Sequence, residues 1–107
     1  MKLIERDAEQ GLDYLRNTSD MILKLEEQAR LKSHMLKHIE GKMMLIGTYK
    51  DVPVSIRREM VRGSDKWMEI ATEEAIAHAE LASLREKRDE ARIKISLYQS
   101  WTRDRRG

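Results

Sequence analysis

Two histidines one helical turn apart are the first candidates for chemistry in this sequence. His34 and His38 stand four positions apart, so on a helix their imidazoles share one face and can hold a zinc or nickel ion. The catalytic H-E-x-x-H pattern is absent, and Glu40 is the one nearby third ligand in the sequence. Histidines away from an apolar seam are usually solvated, so we expect no metal and no cofactor.

A lysine and a glutamate fall on otherwise apolar helix positions. With a turn centred near residue 51, Lys32 lies beside Ile70 and within one helical turn of Glu74. We therefore predict a buried pair of Lys32 and Glu74, which would set the register and oligomeric state. His78 follows Glu74 by one turn and shares this polar layer. An acid–base role is the alternative, but no Gly-rich loop or second carboxylate accompanies the pair.

Arg88 is a third polar residue on the apolar seam. It lies opposite the region of Tyr14, so we predict that its guanidinium stacks on the Tyr14 ring or pairs with Asp13. The sequence has no phosphate loop, nucleophile motif or nucleotide fingerprint. We expect no enzymatic activity.

Basic residues accompany a tryptophan in two places, near the middle of the chain at Trp67 and near its end at Trp101. Such groups bind phosphates while the ring stacks on a base. The candidate nucleic-acid-binding residues are Arg57, Arg58, Arg62, Lys66, Arg103, Arg105 and Arg106. The net charge is only +2, because most basic residues have acidic counterparts. These two groups are the places that the predicted fold does not neutralise, so DNA is one candidate partner beside a protein.

Length and composition exclude several classes of protein. The 107 residues suffice for one domain, and the absence of cysteine excludes a disulfide scaffold, a thiolate zinc site and a cysteine nucleophile. No apolar run approaches the roughly 20 residues of a membrane span. No signal peptide is visible at the N-terminus. We expect a cytoplasmic protein with no membrane partner.

The first part of the chain, about residues 3–46, has the heptad period of a long helix. One seam series comprises Ala8, Leu15, Ile22, Ala29, Leu36 and Met43, and the other comprises Ile4, Gly11, Thr18, Leu25, Lys32, Ile39 and Ile46. Residues 17–20, Asn-Thr-Ser-Asp, form helix poorly and could cap a new helix. Because the register passes through them unchanged, we predict one continuous helix that bends there.

The second long helix is predicted over about residues 65–104, with Ser64 or Asp65 as its N-cap. Its seam comprises Trp67, Ile70, Glu74, Ala77, Leu81, Leu84, Arg88, Ala91, Ile95 and Tyr98. Residues 47–63 are predicted to hold the turn, with a loop over 47–55, and a short helix over about 54–62. Ser55 or Asp51 would cap this short helix and Gly63 would end it.

The distribution of charge predicts how the two long helices pair. Residues 1–27 carry a net charge of −3 and residues 28–49 carry +3, whereas residues 67–84 carry −4 and residues 85–107 carry +4. Folding the chain back at residue 50 places each block against one of opposite sign. We predict an all-α fold, a long antiparallel, coiled-coil-like helical hairpin with a short helix at the turn, forming a single domain over residues 1–107.

Apolar residues outside the seams predict a further interface. Ile93, Leu97 and Trp101 form a stripe with four-residue spacing, here called the outer stripe, and Leu23 and Leu31 also lie off the seam, as does Leu45. Exposed stripes of this kind usually mark a partner surface. We expect a homodimer with a four-helix core, in which the outer stripe binds the second subunit or another protein. Alternatively, the short helix folds down and covers the stripe within one chain.

The last third of the chain contains AELASLREKRDEARI at residues 79–93 and SWTRDRR at residues 100–106. These segments resemble the tail of small helical proteins encoded by bacteriophages near replication and recombination genes. The resemblance implies a phage or prophage origin and an accessory role in DNA transactions. We expect a non-enzymatic accessory or adaptor protein that acts through protein–protein contacts in DNA replication or recombination, with DNA as a further candidate partner. The alternative is a pure protein-interaction module, an inhibitor or assembly scaffold without nucleic-acid binding.

Overall fold

The described part of the protein is helical, as the periodicity predicts. A computed structural model describes residues 2–46 and 51–106. The helices are α1 (Lys2–Asn17), α2 (Ser19–Met44), α3 (Val54–Arg62) and α4 (Asp65–Arg106). No strand occurs within these residues, which confirms the all-α class. Residues 47–50 of the predicted loop lie outside the described residues. The last two residues of the predicted loop, Val54 and Ser55, belong to α3.

The prediction of one continuous helix over residues 3–46 was wrong, because the helix divides at Thr18. The main chain still bridges the division: the Thr18 amide donates to the Tyr14 carbonyl at 3.0 Å, and the Ile22 amide donates to the Thr18 carbonyl at 2.9 Å. The Thr18 hydroxyl also donates to Tyr14, and the Ser19 hydroxyl donates to the Arg16 carbonyl. Hydroxyls that bond carbonyls of the preceding turn bend a helix, which accounts for the one-residue interruption at Thr18.

The short helix α3 has a different cap from the predicted ones. Pro53 is the N-cap residue and makes no side-chain cap bond, so neither Ser55 nor Asp51 serves that role. Its fixed backbone angle, with φ of −53°, sets the direction of helix entry. Gly63 ends α3 as predicted, with its amide donating to Glu59. Ser64 caps α4 as predicted, because its hydroxyl oxygen accepts the Trp67 amide at 3.3 Å.

The chain forms two compact units, which we call the first unit (Met1–Lys24 with Glu80–Gly107) and the second unit (Leu25–Ala79). In the first unit, Leu15 contacts Arg88 and Gly11 lies against Ala91. Since the later residue on α1 meets the earlier one on α4, the two segments run antiparallel. In the second unit, Lys32 on α2 pairs with Glu73 on α4. The later Met43 on α2 accepts a hydrogen bond from Ser64, which immediately precedes α4, so the order is the same. The predicted antiparallel pairing therefore holds within each unit.

The predicted seams supply the buried core of both units. Among the described residues, the buried apolar side chains are Ala8, Leu81, Leu84 and Ala91 in the first unit and Ala29, Val61, Ile70 and Ala77 in the second. Seven of these eight lie on the two predicted seams, and Val61 comes from α3. Half of them are alanines, so each core is thin and buries little apolar area per residue.

Candidate interaction surfaces

Arg88 satisfies the carboxyl-terminal end of α1. Its guanidinium Nη1 donates to the Leu15 carbonyl at 2.9 Å and to the Thr18 hydroxyl oxygen at 2.6 Å. The predicted stacking of Arg88 on Tyr14 and its predicted pairing with Asp13 were therefore both wrong. The last carbonyls of a helix lack intrahelical partners and carry partial negative charge, which attracts a guanidinium. Sequence reasoning missed this cap because it depends on where α1 ends.

Lys32 pairs with Glu73 and not with the predicted Glu74. The ammonium Nζ lies 2.9 Å from Glu73 Oε2, and the two side chains are 34% and 44% exposed. Glu73 lies beside the seam, so Lys32 reaches toward solvent and avoids the desolvation cost of a buried ion pair. An exposed pair of this kind contributes about 0–1 kcal/mol and gives little control of register. His78 bonds Ser33, with 2.9 Å between Nε2 and the hydroxyl oxygen.

The basic residues around α3 divide into those with structural contacts and those that face solvent. Arg57 donates to the Met44 carbonyl at 3.4 Å and to the Val52 carbonyl at 2.8 Å, which ties the end of α2 to the chain leading into α3. Arg62 pairs with Glu40, and its guanidinium also lies over an aromatic ring, described next. Arg58 and Lys66 are exposed. Their binding of nucleic acid stays a prediction.

Trp67 is half-buried within the second unit. The Arg62 guanidinium lies 5.8 Å from the centre of its ring, in a cation–π contact. Its indole Nε1 is buried and has no hydrogen-bond partner among the described residues. The Trp67 ring is therefore partly covered within the unit, and Arg62 lies over one of its faces.

The second predicted basic group surrounds Trp101 on the last turns of α4. The Arg105 guanidinium lies 4.9 Å from the Trp101 ring centre. The ring centres of Tyr98 and Trp101 are 6.0 Å apart. Arg103 is exposed. The side chain of Arg106 lies outside the described part of the structure. The structure thus brings one of these arginines onto the aromatic ring and leaves another in solvent.

The outer stripe is largely uncovered. Ile93 is 58% exposed and Leu97 is 60% exposed, whereas Trp101 is half-buried beside its aromatic and cationic neighbours. The other off-seam leucines, Leu23, Leu31 and Leu45, are also exposed. In the first unit, the stripe therefore presents two aliphatic side chains and part of a tryptophan to solvent.

His34 and His38 are both exposed on α2. Within the described ranges, no group of three or more histidine, aspartate or glutamate side chains is placed to hold a metal ion. None of the described helices has the length and apolar character needed to cross a membrane. The chain matches no protein-family model, no curated protein and no solved structure.

Proposed function

We propose that this chain is a non-enzymatic accessory or adaptor protein that acts through protein–protein contacts, with a second copy of itself as the partner. The observation that supports the proposal is the apolar surface left in water in the first unit, where Ile93 is 58% exposed and Leu97 is 60% exposed while half of the buried apolar residues are alanines.

Large aliphatic side chains are exposed in both units, among them Leu23 and Ile93 in the first and Leu31 and Ile76 in the second. A second copy that covers such side chains would add buried apolar area to the thin cores. A helix pair with so thin a core gains most from a second pair, and that gain favours the four-helix arrangement.

The outer stripe is the proposed contact surface of this homodimer. Ile93, Leu97 and Trp101 follow one another at four-residue spacing on α4, so they lie along one face of the helix. Aromatic side chains such as Trp101 are frequent energetic centres of interfaces, and its half-buried ring is already ordered by Tyr98 and Arg105. Little side-chain entropy would therefore be lost at Trp101 on association.

Size-exclusion chromatography with light scattering tests this proposal. Wild-type protein at micromolar concentration should have twice the chain mass of 12.6 kDa. Leu97→Glu should give the mass of one chain, because it places a charge at the centre of the stripe. Ser96→Glu makes the same charge change on the neighbouring exposed position and should stay dimeric. A wild-type protein with the mass of a single chain would refute the homodimer.

The second candidate function is contact with single-stranded or double-stranded DNA, in the accessory role that the phage resemblance implies. The arrangement of exposed Arg103 beside Trp101 with its stacked Arg105 favours it. The fluorescence anisotropy of a labelled oligonucleotide mixed with the protein should then fall as the salt concentration is raised. A plot of the logarithm of the binding constant against the logarithm of the salt concentration gives a slope that counts phosphate contacts. Replacing Arg103, Arg105 and Arg106 by Ala should reduce this slope by about 0.7 for each arginine that binds a phosphate of a single strand. Replacement of Arg30, Lys37 and Lys42 by Ala is the control with equal charge change, and an equal effect of both would contradict a specific C-terminal site.

A further inference from the structure

In the first unit, α1 and α4 approach each other closely at Gly11. Gly11 is buried, and a Cβ atom at this position would lie 2.8 Å from the Ala91 carbonyl oxygen. Beside this approach lies a cavity of about 380 Å³ lined by Gln10, Gly11, Tyr14, Lys87, Glu90, Ala91 and Lys94. Its volume falls within the range of small-molecule sites, which begins at about 300 Å³. We call it the Tyr14 cavity.

The polar groups around the Tyr14 cavity are not engaged with one another. Lys87 and Lys94 stand two helical turns apart on α4, about 10 Å along the axis, with Glu90 between them. Among the described residues, the side chains of Tyr14, Lys87, Glu90 and Lys94 make no hydrogen bond or ion pair. Elsewhere in the same unit, by contrast, Arg92 pairs with Asp89 at 2.8 Å. The cavity therefore has two ammonium groups, a carboxylate and a phenol available to a ligand.

These groups together match the parts of one ligand class. The lysines suit an anion such as a phosphate, and the Tyr14 ring suits a planar aromatic group. The Glu90 carboxylate accepts hydrogen bonds, so it suits a sugar hydroxyl or an exocyclic amine. A purely apolar ligand would leave both ammonium groups without a partner, and a bare anion would leave the Tyr14 ring and the Glu90 carboxylate without one.

We propose that the Tyr14 cavity binds a nucleotide. Its base lies against the Tyr14 ring over the floor made by Gly11 and Ala91. Its phosphate is held by Lys87 and Lys94, and Glu90 accepts a hydrogen bond from the sugar or base. The proposal uses none of the residues of the outer stripe, so it stands independently of the homodimer. The nucleotide belongs either to a free small molecule or to a single-stranded nucleic acid, and both share this chemistry.

Isothermal titration calorimetry with AMP, adenosine and inorganic phosphate tests the site on the full chain. AMP should bind more tightly than either fragment, because only AMP occupies both the ring and the ammonium positions. Lys87→Gln with Lys94→Gln should weaken AMP binding about tenfold, since the phosphate would have no ammonium donor at either of two partly exposed positions. Lys37→Gln with Lys42→Gln removes the same charge from exposed positions in the second unit and should change affinity less than about twofold.

A Tyr14→Leu variant, checked for folding by circular dichroism, should weaken AMP binding but leave phosphate binding unchanged. Binding of a single-stranded oligonucleotide but not AMP, with the same dependence on Lys87 and Lys94, would assign the nucleotide to a nucleic-acid strand. The proposal is overturned if neither AMP nor the oligonucleotide binds, or if phosphate binds as tightly as AMP. Equal weakening by the two double-lysine variants would overturn it as well, because the attraction would then be general.

Discussion

Two helical glycines should respond in opposite ways to the same substitution. Gly41 lies within α2, and a Cβ atom built there meets no atom within 4 Å. Gly11 lies within α1, and its Cβ would meet the Ala91 carbonyl oxygen at 2.8 Å and Ile95 Cγ1 at 3.4 Å. Neither glycine has a positive φ angle, so alanine is sterically allowed by the backbone at both positions.

The magnitudes follow from these surroundings. Alanine is favoured over glycine in a helix by up to about 1 kcal/mol, and Gly41 lies in the last turn of α2, so Gly41→Ala should raise the free energy of unfolding by about 0.4–1 kcal/mol. Gly11→Ala gains the same helix stabilisation but forces α1 away from a backbone atom of α4, which cannot rotate aside. Overpacking of this kind costs about 1–3 kcal/mol, and the expected result is a net loss of up to about 2 kcal/mol.

Urea denaturation followed by circular dichroism at 222 nm measures the free energy of unfolding of both variants, because helix content reports folding in an all-α chain. The method resolves differences of about 1 kcal/mol. Protein concentration must be the same throughout, because association shifts the midpoint. The midpoint should rise for Gly41→Ala and fall for Gly11→Ala. Equal shifts of the same sign in the two variants would refute the close approach of α1 to α4 at Gly11, and with it the floor of the Tyr14 cavity.

Three further substitutions test individual contacts. Arg88→Met should lower the free energy of unfolding by about 2 kcal/mol, because it leaves a carbonyl at the end of α1 unpaired. A double-mutant cycle with Thr18→Val should show a coupling energy above about 0.5 kcal/mol. Additive effects of the two substitutions would contradict the hydrogen bond between Arg88 and the Thr18 hydroxyl. Lys32→Gln should cost less than about 1 kcal/mol in the same denaturation assay, since its ion pair with Glu73 is partly solvated, and a larger loss would show that the pair is buried. Arg57→Gln should speed amide hydrogen exchange across α3, measured by mass spectrometry, and unchanged exchange would contradict its role in holding the end of α2.

The helices and their direction of pairing were predictable from the sequence. The heptad series marked Ala8, Ala29, Ile70 and Leu81 as core residues, and all four are buried. The prediction of these buried residues succeeds because a helix repeats with a fixed period, so the spacing of apolar residues in the sequence indicates which face of the helix is apolar. Opposite charge in the four sequence blocks then favoured antiparallel pairing, which depends only on block order and not on atomic detail.

The candidate sites depended on details that no local rule contains. Lys32 pairs with Glu73 in place of Glu74, and a choice between adjacent residues is decided by the exact axial offset and rotation of the facing helices. Likewise, Gly11 interrupts the apolar seam in the sequence, but in three dimensions it permits the contact with Ala91 that borders the Tyr14 cavity. Helix period and charge order are properties of the chain itself, so the sequence determined the class of fold and the pairing direction. The cap on α1, the ion-pair partners and the cavity exist only where two distant segments meet, and tertiary packing alone decided them.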